Sequence, residues 1–150
     1  MSYVLRPDRL YMMPTHFGPS CGPRQGPEGE RFTAARPAKQ VKYGVSFRTS
    51  REQLDELLPP GFQVEGDPIV TVEASYLTEL AWLAGRGYNI VSVRFPALFQ
   101  GKRDRASGPF LAVLWENLCD PILTGREQLG YSKLYADIPP PRVLGGRTTV

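Results

Sequence analysis

Residues 40–61, QVKYGVSFRTSREQLDELLPPG, indicate the fold class, because a strand, a helix and a turn follow one another within them. From Gln40 to Thr49 apolar and polar residues alternate, which is the period of a half-buried strand. Thr49 and Glu52 then form a capping box, so a helix of about two turns is predicted to follow and to end at Pro59. The apolar side of the strand is predicted to face the core and consists of Val41, Tyr43, Val45 and Phe47.

The same reasoning predicts further strands and a second helix downstream. The strands are predicted over Ile69–Leu80, Tyr88–Phe99 and Pro109–Leu118. The polar connector 101–108, bounded by glycines, favours a hairpin between the last two of them. A short helix is predicted from Pro121 to Leu129, because Asp120 can cap its first turn and Gly130 can end it.

The two ends of the chain differ from this β-rich part. Within residues 14–30 a proline or glycine stands at nearly every second position, which is expected to prevent both a helix and a sheet ladder. We therefore divide the chain into an amino-terminal arm, residues 1–31, and a β-domain, residues 32–150. Because residues 147–150 are β-like and reach the last position, we expect a missing carboxy-terminal segment or another chain to complete the sheet.

Composition excludes several classes of protein. The 15 Gly and 15 Pro among 150 residues disfavour long helices and point to a mainly β, α+β fold. The only histidine is His16, and the two cysteines, Cys21 and Cys119, are far apart, so neither a zinc site nor a disulfide framework is expected. No apolar stretch approaches the roughly 18 residues of a membrane span, and charged residues interrupt the start of the chain, so a cytoplasmic protein is predicted.

Charge is unevenly distributed, although the net charge is only +3. Residues 1–51 hold nine Lys or Arg against three acids, whereas residues 52–80 hold seven acids and no base. The chain shows neither a basic stripe interleaved with aromatics nor a known nucleic-acid module, so nucleic acid is not expected as a partner. Solvated faces and contacts between subunits of a homo-oligomer are the favoured interpretation; salt-sensitive binding of anionic polymers by the basic third remains an alternative.

Lysine is the most suitable nucleophile in this sequence, because any Ser-His-Asp or Cys-His site would rest on the single histidine, His16, which lies in the proline- and glycine-rich arm. Lys133 stands among leucines and tyrosines, whereas Lys39, Lys42 and Lys102 have polar neighbours. Apolar surroundings disfavour the charged ammonium and so favour the neutral, nucleophilic amine. The same composition also fits a lysine whose stem packs on Tyr131 or Tyr135, and composition alone favours that packing role.

Gly125-Arg126-Glu127-Gln128-Leu129-Gly130-Tyr131-Ser132-Lys133 resembles the Gly-Arg-Glu segment and following lysine of the acetoacetate decarboxylase-like family. The resemblance extends from about Phe32 to Gly146. Other stretches that agree in order and spacing are Tyr43–Thr49 with the Leu-Pro-Pro-Gly helix end, Pro68–Glu73, Trp82–Asn89 and Trp115–Asn117 before Asp120-Pro121. The resemblance implies an antiparallel β cone or barrel with a few short helices, oligomeric association, and a lysine that forms a Schiff base.

The resemblance also implies roles for individual residues. Lys133 would attack a ketone to give an iminium without a metal or organic cofactor. Glu73 matches a family acid and is expected to transfer a proton or orient the substrate; a salt bridge with an arginine such as Arg126 is the alternative. The candidate substrate-binding residues are Gln40, Arg86, Tyr88, Arg126, Glu127 and Tyr131.

Three departures from the family pattern bear on the substrate. Leu134 stands where family decarboxylases carry a second lysine, and Gln40 stands where they carry an arginine. No acid is present between Arg86 and Asn89, where the family has one, although Arg86 could act there as an anion anchor. We therefore predict a Schiff-base lyase for a small keto acid, acting by decarboxylation or aldol and dehydration chemistry. The alternative is a non-catalytic ligand-binding or assembly domain.

Overall fold

The computed structural model describes the β-rich part of the chain and a few residues before it. The described residues are 4–9, 11–12, 20–21, 25 and 38–150. Near the amino terminus, strands β1 (Tyr11–Met12) and β2 (Ser20–Cys21) pair antiparallel. One strand of this ladder, β2, lies within the proline- and glycine-rich stretch, contrary to the expectation for residues 14–30. Apart from residues 4–9, 11–12, 20–21 and 25, the predicted arm, including His16, lies outside the described residues.

One sheet of six strands organises residues 38–150. Its strands are β3 (Lys39–Arg48), β4 (Phe62–Val64), β5 (Ile69–Thr78), β6 (Tyr88–Gln100), β7 (Arg105–Glu116) and β8 (Lys133–Tyr135). The order is β3-β5-β6-β7-β8, and β4 pairs with β6. Neighbours are antiparallel except that β8 runs parallel to β7.

Two α-helices, a 3₁₀ helix (Ala81–Leu83) between β5 and β6, and a hairpin complete the described fold. Helix α1 spans Arg51–Asp55, and helix α2 spans Cys119–Leu129 and connects β7 to β8. Strands β9 (Arg142–Leu144) and β10 (Arg147–Thr149) form a separate antiparallel hairpin. No helix among the described residues is long and apolar enough to cross a membrane.

The predicted antiparallel cone or barrel is not what the described residues form. Within them, β3 and β8 are the two edges of the sheet, so the sheet is open, and the β7–β8 pair is parallel. The parallel pair follows from α2, whose 11 residues carry the chain back before β8 begins. The mainly β class with short helices is confirmed.

Element boundaries differ from the predictions for local reasons. Ser50 rather than Thr49 caps α1, because its hydroxyl accepts the amide of Gln53 at 3.3 Å. The β6–β7 turn is tighter than predicted, because the amide of Gly101 already donates to the carbonyl of Asp104 at 2.8 Å. Asp120 lies inside the first turn of α2 and not at its cap.

The largest apolar core lies over β5 and β6. Leu54 of α1, Val64 of β4, Val70 of β5 and Phe95 of β6 are buried together. Helix α1 packs over the central strands through Leu54, and no residue of β3 belongs to this core. The face of β3 predicted to be buried is therefore mostly exposed, with Val45 at 67% exposure.

Candidate active site

The other face of the sheet carries the polar side chains. Strand register aligns one residue from each of five strands in a single row: Gly44, Glu73, Ser92, Leu114 and Lys133. Residues opposite one another across strands point to the same face, so the two predicted catalytic residues share a face. Glu73 and Lys133 are separated by three strand spacings of about 4.8 Å each, so they do not lie on neighbouring strands.

Two flanking rows add further polar residues to this face. One row aligns Lys42, Ser75, Ile90 and Glu116, and the other aligns Ser46, Thr71, Arg94 and Leu111. The second row is shifted by a bulge in the β6–β7 pairing after Val93. Besides Lys133, these rows bring the charged residues Lys42, Glu73, Arg94 and Glu116 to one side of the sheet.

Lys133 is buried in an ion pair. Only 4% of its side chain is exposed, and its Nζ lies 2.8 Å from Oε1 of Glu116, whose side chain is 1% exposed. The same Nζ donates a hydrogen bond of 3.0 Å to the carbonyl of Pro121 and lies 5.7 Å from the ring centroid of Tyr131. A carboxylate, a carbonyl and an aromatic ring thus surround the amine.

Helix α2 packs against this amine, and its contacts explain the roles of Gly125 and Arg126 in the Gly-Arg-Glu segment. A Cβ atom added at Gly125 would lie 2.5 Å from Nζ of Lys133, so any side chain there would occupy the lysine's place. Arg126 donates from Nη1 to the backbone carbonyl of Lys133 at 2.9 Å. Gly130 ends α2 with a φ of 71°, which turns the chain towards β8. The motif therefore positions Lys133 by packing and by a backbone hydrogen bond.

The ends of β6 and β7 are tied to the segment that follows β8. The side-chain oxygen of Asn117 accepts the amide of Asn89 at 2.8 Å, and the Asn89 side chain donates to the carbonyl of Ile138 at 2.7 Å. The amide of Ala136 donates to the carbonyl of Glu116 at 3.0 Å. Segments that are distant in sequence thus hold Glu116 beside Lys133.

A cavity of about 370 Å³ opens on the polar face next to this pair. Its polar lining comes from Gln40, Glu73, Ser75, Ser92 and Arg94. Leu114 and Tyr131 also line the cavity. Leu114 is the strand partner of Lys133, and the ring of Tyr131 lies next to Nζ of Lys133. Lys133 itself is not part of the cavity wall, so Tyr131 and Leu114 form the boundary between the cavity and the amine.

Glu73 is an ion-paired carboxylate in this cavity. Its Oε2 lies 2.9 Å from Nη2 of Arg94, and its Oε1 lies 3.2 Å from Nζ of Lys42 and accepts the Ser75 hydroxyl at 3.1 Å. Burial acts to raise the pKa of Glu73, but the hydrogen bonds from Lys42 and Ser75 and the charge of Arg94 outweigh it and lower that pKa. Glu73 does pair with an arginine, and the partner is Arg94 rather than Arg126.

The structure brings some of the predicted residues together and separates others. Gln40 and Tyr131 line the cavity with Glu73. Arg86 lies in the turn before β6, where its Nε donates to the carbonyl of Leu83 at 3.2 Å, and Tyr88 is buried beside that residue in a second apolar core. Neither of these two lines the cavity, and Glu127 is exposed on α2.

Leu134 pairs with Trp115 on the opposite face of the sheet from Lys133. This arrangement follows from the two-residue period of a strand, which sends neighbouring side chains to opposite faces. A lysine at position 134 would therefore also point away from the amine. The absence of that second lysine removes no charge from the immediate surroundings of Lys133.

Sequence reasoning missed Glu116 and Arg94 as site residues. Arg94 is the single charged residue within an apolar strand run, and Glu116 directly follows another such run. A charged residue in that position could have indicated a buried, paired side chain. Their partners, Lys133 and Glu73, are 17 and 21 positions away along the chain, so local pattern could not pair them.

Solved structures with a similar fold include an acetoacetate decarboxylase, an enduracididine biosynthesis enzyme and an acetoacetate decarboxylase-like enzyme. The acetoacetate decarboxylase of Legionella pneumophila subsp. pneumophila str. Philadelphia 1 matches with a TM-score of 0.56 and 20% identity over 71% of this chain and 39% of that chain. The enduracididine biosynthesis enzyme MppR matches with a TM-score of 0.55 and 19% identity over 71% of this chain and 41% of that chain. An acetoacetate decarboxylase-like enzyme from Sphingomonas wittichii RW1 matches with a TM-score of 0.51 and 24% identity over 64% of this chain and 39% of that chain. The open sheet and α2 therefore have an acetoacetate decarboxylase-like fold.

Sequence comparison assigns the family. The family model for acetoacetate decarboxylase (ADC) matches residues 12–149, and the chain belongs to this family. The resemblance found in the sequence is thereby confirmed. The chain spans about two-fifths of the length of the similar structures, 39% of one and 41% of another. No curated protein sequence matches it.

Proposed function

We propose that the protein is a lyase that forms a Schiff base between Lys133 and the carbonyl carbon of a small keto acid. The supporting observation is the buried pair, in which Nζ of Lys133, at the end of the Gly-Arg-Glu segment, lies 2.8 Å from Oε1 of Glu116, at the end of β7. Buried ionisable groups with a specific partner beside a cavity are typical of catalytic sites.

Glu116 provides the proton acceptor that this chemistry needs. Lys133 must lose a proton before it can attack, and transfer from Nζ to Oε1 converts two charges into a neutral amine and a carboxylic acid. The 2.8 Å between Nζ and Oε1 is short enough for the proton to pass directly between the two atoms. The transfer leaves the net charge of the site unchanged and prepares nucleophile and acid together.

The steps after this transfer balance without a co-reactant. The amine attacks the carbonyl carbon, its remaining excess proton moves to the carbonyl oxygen, and a carbinolamine forms. The carboxylic acid of Glu116 then protonates the hydroxyl group, which leaves as water and yields the iminium. With a 3-keto acid the iminium nitrogen accepts the electron pair released when the carboxylate departs as CO₂, and with a 2-oxo acid it accepts the pair released when a neighbouring C–H loses its proton. Either route gives an enamine, whose carbon takes up a proton to restore the iminium, and hydrolysis then releases the product and Lys133.

Borohydride reduction in the presence of acetoacetate, pyruvate or a longer 2-oxo acid tests this proposal. Intact mass and peptide mapping are expected to find one substrate-dependent adduct, on Lys133, that persists in Lys102→Ala, a control in the exposed β6–β7 turn. Lys133→Ala is expected to abolish it. Because this substitution leaves Glu116 buried without its cation, Lys133→Met combined with Glu116→Gln serves as a second, uncharged control. A folded protein that gives no adduct with any of these acids would contradict the proposal.

One observation favours a second candidate function, a domain that binds a small acid without turnover. Nζ of Lys133 already contacts two acceptors, Oε1 of Glu116 at 2.8 Å and the carbonyl oxygen of Pro121 at 3.0 Å, an arrangement that also suits a lysine with a purely structural role. This alternative predicts saturable binding of pyruvate to the folded protein, with no adduct after reduction.

A further inference from the structure

Arg94 is a cation of the cavity to which the proposed reaction assigns no step. It lies on β6, on the same face of the sheet as Lys133, and lines the cavity with Glu73. Among the described residues, its guanidinium bonds to Glu73 through Nη2, and its side chain is 37% exposed. The other two guanidinium nitrogens thus remain available to a ligand in the cavity.

The groups around Arg94 hold it in place and leave the cavity positive. Glu73 is shared between Arg94 at 2.9 Å and Lys42 at 3.2 Å, so two cations face one carboxylate. Ser75 donates the third hydrogen bond to Glu73, at 3.1 Å. Glu73 is thereby occupied as an acceptor, and one positive charge is left for an anion from outside.

The position of Arg94 relative to Lys133 suits a short bifunctional molecule. Arg94 is opposite Leu111, Lys133 is opposite Leu114, and both lie on the face that lines the cavity. Two strand spacings, or about 10 Å, separate β6 from β8, and the offset from Leu111 to Leu114 adds three residues, each about 3.4 Å, along the strand. The two long side chains extend towards each other across this gap. A carboxylate on the guanidinium would direct the carbonyl group of the same molecule towards the Tyr131 end of the cavity, and Lys133 reaches that carbonyl when Tyr131 moves aside.

We propose that Arg94 binds the carboxylate of the substrate and makes the protein selective for keto acids over uncharged carbonyl compounds. This assignment rests on the proposed Schiff-base function. Arginine suits the role because its planar fork donates two parallel hydrogen bonds to a carboxylate. Glu73 then acts as a positioning residue that orients the guanidinium.

Pyruvate and its methyl ester provide a matched pair of probes, since they share the ketone and differ in the charge. Borohydride trapping at Lys133 is measured with both, at concentrations below saturation, in the wild type, Arg94→Gln, Arg94→Lys and Arg103→Gln. Arg94→Gln is expected to slow trapping by pyruvate about ten- to hundredfold, the effect of losing a charge-assisted hydrogen-bond pair, and trapping by the ester less than about twofold. Arg94→Lys, which keeps the charge and a partner for Glu73, is expected to be intermediate. Arg103→Gln, in the exposed β6–β7 turn, is expected to behave as wild type.

Equal losses with both probes would overturn the assignment, because they would indicate a structural role for Arg94. An unchanged pyruvate rate in Arg94→Gln would overturn it as well. If the wild type forms no adduct with either probe, the proposed function fails, and binding of unreactive propionate, followed by NMR titration, decides the role of Arg94 separately. Saturable propionate binding that is lost in Arg94→Gln would support the anion site, whereas no binding, or equal binding in the variant, would overturn it.

Discussion

Glu116 and Lys133 make the candidate site a buried electrostatic unit. Neither charge reaches bulk water, and each is the nearest opposite charge to the other at 2.8 Å. Removal of one partner from a buried pair typically costs about 3–5 kcal/mol, because the remaining charge is left without compensation. The loss of activity in a single variant at either position therefore combines lost chemistry with lost stability, and the neutral double variant separates the two effects.

Glu73 is expected to make stability depend on pH. Its pKa is lowered below its ordinary value of 4.5 in the folded protein, with Lys42, Arg94 and Ser75 facing it. Between the folded and unfolded pKa values the unfolded state binds more protons, so stability rises with pH through this window. Glu73→Gln is expected to lower the melting temperature at pH 7.

The difference between the wild type and Glu73→Gln should shrink as the pH falls from 4.5 through the lowered pKa of Glu73. Thermal unfolding at a series of pH values, with both proteins in the same buffers, measures it, and titration of the other carboxyl groups is common to both. A difference that stays constant down to pH 2 would contradict the assignment of Glu73 as an ionised partner of Arg94.

At the scale of elements, α2 and β8 form a unit that presents one side chain. Arg126 binds the backbone of Lys133 at 2.9 Å, and the amide of Tyr131 donates to the carbonyl of Gly125 at 3.0 Å. Gly125 leaves room for the lysine side chain. The helix therefore contributes to the site through its packing surface and its ends, and a change on its inner face should affect the site directly.

Gly125→Ala tests this role of α2. Alanine in a helix normally stabilises by about 1 kcal/mol relative to glycine. At this position the added Cβ would lie 2.5 Å from Nζ of Lys133, so we expect lower stability and loss of borohydride trapping. Chemical denaturation and adduct mass measure the two effects. Leu123→Ala, on the exposed side of the same helix, is the control, and a stabilised, fully reactive Gly125→Ala would contradict the packing role.

At the scale of the whole described molecule, the sheet is covered unequally. The core formed by α1, β4, β5 and β6 is buried, whereas the same face of the edge strand β3 is open. Val45 is 67% exposed and Val70 is 7% exposed, although both are valines on one face of adjacent strands. Position in the sheet, rather than residue type, decides how much each contributes to stability.

Val45→Thr and Val70→Thr compare these positions with the same chemical change and nearly the same strand preference. Val45→Thr is expected to change the free energy of unfolding by no more than about 0.5 kcal/mol, as an exposed substitution. Val70→Thr buries a hydroxyl and is expected to cost about 1–3 kcal/mol. Urea denaturation of both variants gives the comparison, and equal losses would show that β3 is covered in solution.

The elements of this fold could be predicted from local pattern, and several of the site residues could not. Alternation along residues 40–48 and the glycine at 130 identify a strand and a helix end. The same alternation predicted that the apolar face of β3 is buried, and that prediction was wrong. Alternation along a strand shows that one face is apolar, but it does not show whether another element covers that face. Register, which places Glu73 and Lys133 on one face, depends on pairing between distant segments.

The sequence by itself determined the mainly β class, the family and Lys133 as the candidate nucleophile, because these depend on residue type, order and spacing within short segments. Tertiary structure alone decided that Glu116 pairs with Lys133, that Arg94 pairs with Glu73, and that Arg86 and Tyr88 lie away from the cavity. The physical reason is that ion pairing and burial depend on contacts between segments far apart in the chain, and strand register and the return of α2 bring those segments together.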